Sequence, residues 1–131
     1  VYIDDYAHHP TELKAAINAA RELFPEKNLV GVFQPHLYSR TRDFVEGFAQ
    51  ELDALDQVFL LDIYPAREEP IPGVTADSIL KNMKNKQVIR TDLNGIKDYL
   101  RKMNKGVLMT LGAGDIDTLV KPMKEFFEAR K

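Results

Sequence analysis

Polar side chains gather near the start of the chain in the segment Asp4-Asp5-Tyr6-Ala7-His8-His9-Pro10-Thr11-Glu12. Carboxylates accept hydrogen bonds from ribose hydroxyls, a tyrosine ring stacks on a base, and an imidazole hydrogen-bonds or carries a charge. A plainer interpretation fits the same residues, with Asp5 capping a turn and His9 flanking a helix that begins at Pro10. As a whole, the segment indicates a nucleotide-binding loop, whereas each residue alone fits either interpretation.

A second polar segment, Gln34-Pro35-His36-Leu37-Tyr38-Ser39-Arg40-Thr41-Arg42, combines an imidazole with two guanidinium groups. An arginine fork matches a carboxylate or a phosphate, and a helix N-terminus adds partial positive charge. The alternative is that both arginines face solvent and pair with Asp43 or Glu46, and for Arg42 we favour it. For Arg40 we favour binding of a carboxylate or a phosphate.

Two further segments carry weaker signals. Residues 62–73 contain three prolines and no periodicity, which predicts a stiff functional loop. In that loop Asp62 could be a ligand, and Arg67, Glu68 and Glu69 fit a charged surface. The run Gly112-Ala113-Gly114-Asp115 could present backbone amides to an anion, but a tight strand–helix turn explains its glycines equally well. The phosphate-binding motif G-x-x-x-x-G-K-[ST] and the dinucleotide fingerprint are both absent from the sequence.

The elements that must position these segments follow from the alternation of apolar runs and helical spacing. Short β-branched or aromatic runs predict five strands, at 1–3, 29–33, 58–61, 87–89 and 107–111. Helical spacing predicts helices at 10–24, 41–55, 75–83, 93–103 and 115–129. Thr41 is the expected N-cap of the second helix, and Pro122 is expected to kink or divide the last.

This alternation predicts a Rossmann-like three-layer αβα domain, with a mostly parallel sheet of five or six strands. Ligands of such sheets bind at the carboxyl ends of the strands. The four polar segments all follow predicted strands there, whereas the opposite turns at 25–28 and 104–106 are plain charged turns. We therefore expect the four segments to meet at one edge.

Composition restricts the class of protein. The chain has 131 residues, 44% hydrophobic and 29% charged, which fits a single domain at 1–131 with its own core. The net charge is −2 and the Lys and Arg residues are scattered, so the sequence does not predict a basic surface that would bind nucleic acid. No apolar stretch approaches the ~20 residues that span a membrane. There is no cysteine, and the adjacent His8 and His9 do not predict a metal site. A start inside a strand, without Met or leader, predicts a domain cut from a longer protein.

Taken together, the four segments resemble the C-terminal domain of Mur ligases over nearly the whole chain. The motifs are Asp-Asp-Tyr-Ala-His-His-Pro-Thr-Glu, Phe-Gln-Pro-His-Leu-Tyr-Ser-Arg-Thr, Asp-Ile-Tyr-Pro-Ala-Arg-Glu-Glu-Pro-Ile-Pro-Gly-Val and Leu-Gly-Ala-Gly-Asp-Ile. The chain is most similar to the members that join L-alanine to UDP-N-acetylmuramate. Murein tripeptide ligases share the first motif and usually differ in the second, and they are the alternative within the family. The resemblance implies an ATP-dependent, cytoplasmic ligase of peptidoglycan precursor synthesis.

The resemblance also implies partners and residue roles. ATP would activate the muramoyl carboxylate as an acyl phosphate, which the amine of L-alanine attacks. ATP and Mg²⁺ would be bound mainly by a central domain and the UDP-sugar by an N-terminal domain, so this domain alone is expected to be inactive. The implied ATP-binding residues are Asp5, Asp4, Tyr6 and His8, and those facing the alanine carboxylate are His36, Arg40 and Arg42. Some members have a basic residue where this chain has Leu37. Without that residue, Arg40 and Arg42 would contribute more of the binding of the alanine carboxylate.

A phospho-acceptor receiver domain is the alternative from another class of protein. It shares the chain length, the five strand–helix units, the paired acids after the first strand, and an acid after the third, here Asp62. Thr91 also follows the fourth strand. A receiver needs a lysine after its fifth strand, however, where this chain has Gly112-Ala113-Gly114, and Lys105 precedes that strand. A non-catalytic interaction module has less support, because no exposed apolar surface is indicated.

Overall fold

Five parallel strands form a single sheet in the computed structural model, which describes residues 2–85, 87–103 and 106–129. The strands are β1 (Tyr2–Asp5), β2 (Leu29–Gln34), β3 (Gln57–Leu60), β4 (Val88–Arg90) and β5 (Val107–Gly112). Their order is β1-β5-β2-β3-β4, and every pairing is parallel. The predicted five-strand parallel sheet is confirmed, although the predictions made for Val1 and Lys105 lie outside the described residues.

Helices cover both faces of the sheet. They are α1 (Pro10–Leu23), α2 (Tyr38–Asp43), α3 (Val45–Leu52), α4 (Ala76–Asn82), α5 (Leu93–Arg101) and α6 (Asp117–Ala129). Buried residues of α1, α3 and α4 belong to one apolar cluster, and those of α5 and α6 belong to a second. The three-layer αβα prediction is therefore confirmed.

The strands separate the two clusters by the alternation of their side chains. In β2, Phe33 packs into the cluster of α1, α3 and α4, and its neighbour Val32 packs into the cluster of α5 and α6. Successive side chains of a strand point to opposite faces, so a strand that is apolar at every position fits a sheet covered on both sides. This explains why the strand sequences showed apolar runs without polar alternation.

The second predicted helix, at 41–55, was wrong in its start and its continuity. The structure has two helices there, α2 beginning at Tyr38 and α3 at Val45, separated at Phe44 (φ −121°, ψ 23°). Thr41 is not an N-cap, because it lies buried inside α2 and its hydroxyl donates to the Leu37 carbonyl at 2.8 Å. The Thr41 hydroxyl is therefore a donor to the carbonyl four residues earlier, whereas an N-cap hydroxyl would accept a hydrogen bond from a backbone N–H.

Of the two outcomes predicted at Pro122, a kink or a division of the last helix, the division was wrong, and the kink stays a prediction. The helix α6 continues from Asp117 to Ala129 with Pro122 inside it. Proline removes one backbone donor from the helix. The segments on either side are held by Leu119 and Met123, which are buried against the sheet. One missing hydrogen bond therefore does not divide the helix.

The strand order decides against a receiver domain. Receiver domains have the order 2-1-3-4-5, in which the first strand is interior. Here β1 lies at an edge of the sheet and β5 is inserted between β1 and β2. The two orders cannot be interconverted without rethreading the chain, so the receiver interpretation is wrong.

The parallel arrangement brings the polar segments to one edge of the sheet. Asp5 at the end of β1 is paired in register with Leu111 of β5, and Gln34 at the end of β2 is paired with Gly112. The loops that follow β1, β5 and β2 are consequently adjacent at the carboxyl edge. Among the described residues, no helix is both long and apolar enough to cross a membrane.

Candidate functional site

Asp5 ends β1 and starts the first polar loop. One of its carboxylate oxygens, Oδ1, accepts a hydrogen bond from the backbone N–H of Ala7 at 2.9 Å, which closes a local turn. This is the plainer role anticipated for Asp5. A carboxylate has two oxygens and about four acceptor positions, so the turn is compatible with a second interaction at the same side chain.

Asp4 is hydrogen-bonded to the neighbouring strand, β5. Its Oδ1 accepts from the hydroxyl of Thr110 on β5 at 2.7 Å, and the Tyr2 hydroxyl lies 2.8 Å from the same Thr110 oxygen. Burial raises the pKa of Tyr2, an effect that the hydrogen bond with Thr110 partly opposes. Asp4 thus fixes the end of β1 beside β5, and Asp5 is the next residue along the chain.

The two adjacent histidines separate in space. The Nδ1 atom of His8 lies 2.9 Å from the Tyr6 carbonyl oxygen, and its ring centroid lies 6.1 Å from that of His36. His9 turns the other way and is the N-cap of α1, where its Nδ1 accepts from the N–H of Thr11 at 3.1 Å. The structure therefore brings His8 to the second polar loop and gives His9 the structural role.

An aromatic cluster forms where the first, second and third loops meet. The ring of Tyr6, which is 63% exposed, contacts His8 edge-on at 5.9 Å between centroids. On the other side, His36 lies 5.7 Å from the ring of Tyr64. Stacked and edge-on rings of this kind form a surface on which a nucleobase can pack.

His36 contains a buried polar atom that the chain does not satisfy. Within the described residues, its Nδ1 atom is buried and has no hydrogen-bond partner. Buried polar groups are nearly always paired, so His36 Nδ1 is an exception among the described residues.

Arg40 and Arg42 differ in their surroundings. Nε of Arg42 donates to Asp43 Oδ1 at 2.9 Å, and this hydrogen bond, with the charge of Asp43, raises the pKa of Arg42. Arg40 is partly buried in the first turn of α2, and no hydrogen bond or salt bridge occupies its guanidinium within the described part of the chain. Of the two guanidinium groups, only that of Arg40 is without a carboxylate partner among the described residues.

Asp62 lies outside this cluster. It pairs with Arg90, which also donates to Asp77 at 2.8 Å and to the Leu60 carbonyl at 2.9 Å. An open depression of about 680 Å³ runs from Asp62 and Arg90 along α5 as far as Lys102. Because it is lined by residues that follow β3 and β4 and by α5, it is separate from the cluster around His8 and His36.

Gln34 and Tyr64 connect the loops, a role that the sequence did not reveal. Gln34 is 5% exposed, accepts from the N–H of Ile116 at 2.8 Å and donates to Asp115 at 3.2 Å. Tyr64 packs so closely on Gly114 (φ +121°) that a Cβ there would lie 2.6 Å from the ring. The sequence did show Gly114 in a strand–helix turn, but it did not show that Tyr64 packs against this glycine.

Glu68 is not part of a plain charged surface, so that interpretation was wrong for this residue. Its Oε1 accepts from the backbone N–H of Ser39 at 3.1 Å, and its Oε2 accepts from the Ser39 hydroxyl. These two hydrogen bonds from Ser39 lower the pKa of Glu68. The third loop is thereby attached to the start of α2, one residue before Arg40.

Comparison with known proteins identifies this arrangement. The family model described as "Mur ligase, glutamate ligase domain" matches residues 1–116. The chain belongs to the Mur ligase family. A domain from a Haemophilus ducreyi 35000HP protein, assigned as a UDP-N-acetylmuramate:L-alanyl-gamma-D-glutamyl-meso-diaminopimelate ligase, superposes with a TM-score of 0.64, covering 92% of this chain and 85% of that one. At 21% identity, this Mur ligase structure supports the fold alone.

Curated relatives give a finer comparison. UDP-N-acetylmuramate–L-alanine ligase of Porphyromonas gingivalis is 53% identical over 129 residues, which is 98% of this chain and 28% of that protein. The ligase of the same name from Cytophaga hutchinsonii is 51% identical over 99% of this chain and 28% of its own length. The predicted resemblance to the alanine-adding Mur ligases is confirmed. This chain spans just over a quarter of the length of those relatives.

Proposed function

We propose that this chain is the C-terminal domain of a Mur ligase that joins L-alanine to UDP-N-acetylmuramate at the expense of ATP, in the cytoplasm. The observation that carries the proposal is the 53% identity to an enzyme of that name across 98% of the chain. The structure supports it, because His8 and His36 lie on the loops that follow β1 and β2, and Arg40 lies in α2 directly after the second of these loops. The strands β1 and β2 are separated only by β5.

In the proposed reaction the muramoyl carboxylate attacks the terminal phosphorus of ATP, giving an acyl phosphate and ADP. The amine of L-alanine then attacks the acyl carbon, an amide forms, and phosphate leaves. Catalysis of this kind depends mainly on positioning and on stabilising transferred charge. The part of this domain in the reaction is therefore to hold and orient substrates, since its sequence lacks the G-x-x-x-x-G-K-[ST] loop.

Asp5, Tyr6 and His8 are proposed to face the nucleotide. The free oxygen positions of Asp5 suit ribose hydroxyls, with Asp4 holding the strand end in place. Tyr6 and His8 supply rings beside the adenine or the reacting centre. Mg²⁺ neutralises phosphate charge in such reactions. As the resemblance to Mur ligases implies, Mg²⁺ is proposed to be bound mainly by the central domain of the complete ligase.

His36 and Arg40 are proposed to bind the carboxylate of the incoming alanine. Arg40 supplies a positive charge at the third position of α2, and His36 supplies the buried Nδ1 that no other described group satisfies. A guanidinium fork binds a carboxylate through two parallel hydrogen bonds. Arg42 is the second arginine of the proposed set, and it would have to give up its hydrogen bond with Asp43 to contribute.

A hybrid enzyme tests the proposal directly. In this hybrid ligase, the chain replaces the matched segment of the Porphyromonas gingivalis relative, and amide formation from ATP, UDP-N-acetylmuramate and L-alanine is followed by mass spectrometry. We expect formation of the UDP-N-acetylmuramoyl–L-alanine product. A hybrid ligase that folds and binds UDP-N-acetylmuramate but forms no amide would contradict the proposal.

A further inference from the structure

Glu68 forms a contact between two loops that lie far apart in sequence. The loop from Asp62 to Gly73 carries Glu68, whereas Ser39 is the second residue of α2, 29 positions earlier in the chain. One carboxylate oxygen accepts from the Ser39 backbone N–H at 3.1 Å, and the other accepts from the Ser39 hydroxyl. Ser39 is therefore the main partner of Glu68, and the backbone of Tyr38 and the charge of Arg42 make smaller contributions that also lower the pKa of Glu68.

The start of α2 lacks a local cap, so this contact replaces one. Its N-cap residue is Leu37, with φ +71°, and Leu37 has no side chain that could accept a hydrogen bond. The first N–H groups of a helix need acceptors from outside the helix, and a negative charge there is favourable. A helix of six residues is too short to persist on its own propensity. Glu68 supplies both the acceptor and the charge that the N-terminus of α2 requires.

The rest of the third loop is built to place Glu68 there. Tyr64 donates its backbone N–H to the Pro35 carbonyl, and its own carbonyl accepts from the N–H of Leu37, both at 2.8 Å. A turn then follows, in which Ala66 has φ +54° and the N–H of Glu68 donates to the Pro65 carbonyl at 2.9 Å. The loop is thus fixed to the residues immediately before α2 and, through Glu68, to its first turn.

Arg40 is the residue that directly follows this contact in the chain. It is the third residue of α2, so its backbone continues from the residue that Glu68 holds. We propose that Glu68 is a positioning residue, which orients Arg40 for the carboxylate of the amino-acid substrate without touching that substrate. This inference rests on the proposed function, because it takes the carboxylate role of Arg40 from there.

The test is steady-state kinetics of the hybrid ligase with variants at both ends of the contact. We expect Glu68→Ala to raise the KM for L-alanine roughly tenfold, in line with the loss of hydrogen bonds to a charged group, and to change the KM for ATP less than about twofold. Glu68→Gln keeps one acceptor oxygen and should give an intermediate KM. Glu69→Gln is the matched control, because Glu69 is exposed and no interaction of its side chain is found in the described part of the chain.

A double-mutant cycle separates positioning from general destabilisation. If Glu68 acts through Arg40, the variant with both Glu68→Ala and Arg40→Ala should have the KM for L-alanine of Arg40→Ala alone. Independent, multiplying effects would overturn the inference, as would an unchanged KM in Glu68→Ala while Arg40→Ala raises it. If Arg40→Ala itself leaves the KM for L-alanine unchanged, the carboxylate role is wrong and this inference falls with it. Amide formation by the unmodified hybrid ligase tests the proposed function separately from both.

Discussion

Arg40 and Arg42 show how two identical side chains two positions apart acquire different chemistry. Arg42 is exposed and has a carboxylate partner next to it in sequence, Asp43. Arg40 is partly buried and has no such partner among the described residues. An exposed ion pair contributes little to stability, but it does occupy the guanidinium. The local sequence therefore determines which arginine remains available to a substrate.

Arg40→Ala in the hybrid ligase should raise the KM for L-alanine by about tenfold or more, because a charge-assisted hydrogen bond is lost. The KM for ATP should change far less, since the nucleotide is proposed to contact the first loop. Arg42→Ala is the control with the same change of charge, and we expect a smaller effect. Equal increases of KM for alanine and ATP in Arg40→Ala would contradict the carboxylate role.

Gly114 is where backbone conformation and close packing coincide. Gly114→Ala should destabilise the fold by about 2–4 kcal/mol, because it combines a positive φ with a Cβ placed 2.6 Å from the Tyr64 ring. Gly73→Ala is the matched control, since Gly73 also has a positive φ (+80°) but nothing lies within 4 Å of where its Cβ would be added. That variant should lose only about 1–2 kcal/mol. Urea unfolding of the 131-residue chain measures both, and equal losses would show that packing against Tyr64 contributes nothing.

At the scale of elements, α2 and its partner loop form a unit whose stability depends on pH. The pKa of Glu68 is lowered in the folded chain by its hydrogen bonds with Ser39. A lowered folded pKa means that the stabilisation is fully present above the ordinary value, about 4.3, and is lost as pH falls through the folded value. The hydrogen bonds between Glu68 and Ser39 should therefore stabilise the folded chain at neutral pH and not in strong acid.

Thermal unfolding of the unmodified chain and of Glu68→Gln between pH 7 and pH 3 measures this contribution. We expect the unmodified chain to have the higher Tm at pH 7, and the difference to shrink as pH falls below about 4.3. The Glu69→Gln control should show no such pH-dependent difference. A constant difference in Tm across the range would contradict a charged role for Glu68.

The elements themselves were largely predictable, because each strand is a short apolar run and most helices have a regular apolar face. Five strands and the parallel sheet follow from that alternation. The break between α2 and α3 could not be predicted, since Phe44, Val45 and Phe48 continue a helical spacing across it. The side-chain hydrogen bonds of Gln34 and Glu68 were equally hidden, because their partners lie 28 or more positions away and no local pattern marks them.

The architecture of the whole molecule explains why the site residues are near one another. A parallel sheet brings all carboxyl strand ends to one edge, and the order β1-β5-β2 makes the first and second polar loops near neighbours. Each role proposed for this edge concerns binding and orientation.

The 131-residue chain alone should accordingly form no amide from ATP, UDP-N-acetylmuramate and L-alanine, and it should bind ATP weakly or not at all. The reason is that its sequence has no G-x-x-x-x-G-K-[ST] loop to hold the phosphates. Mass spectrometry of the reaction and calorimetry of ATP binding measure the two quantities. Amide formation by the isolated chain would contradict the assignment of phosphate binding to another domain.

Amine-donor preference tests the central claim most directly, because it separates the alanine-adding ligases from the tripeptide ligases that share the fold. The measurement is kcat/KM of the hybrid ligase for L-alanine and for the tripeptide L-alanyl-gamma-D-glutamyl-meso-diaminopimelate, with ATP and UDP-N-acetylmuramate held saturating. We predict product with L-alanine and at least about a hundredfold lower kcat/KM for the tripeptide, because its larger body must enter a site that fits a single small amino acid. Equal or preferred use of the tripeptide would contradict the assignment.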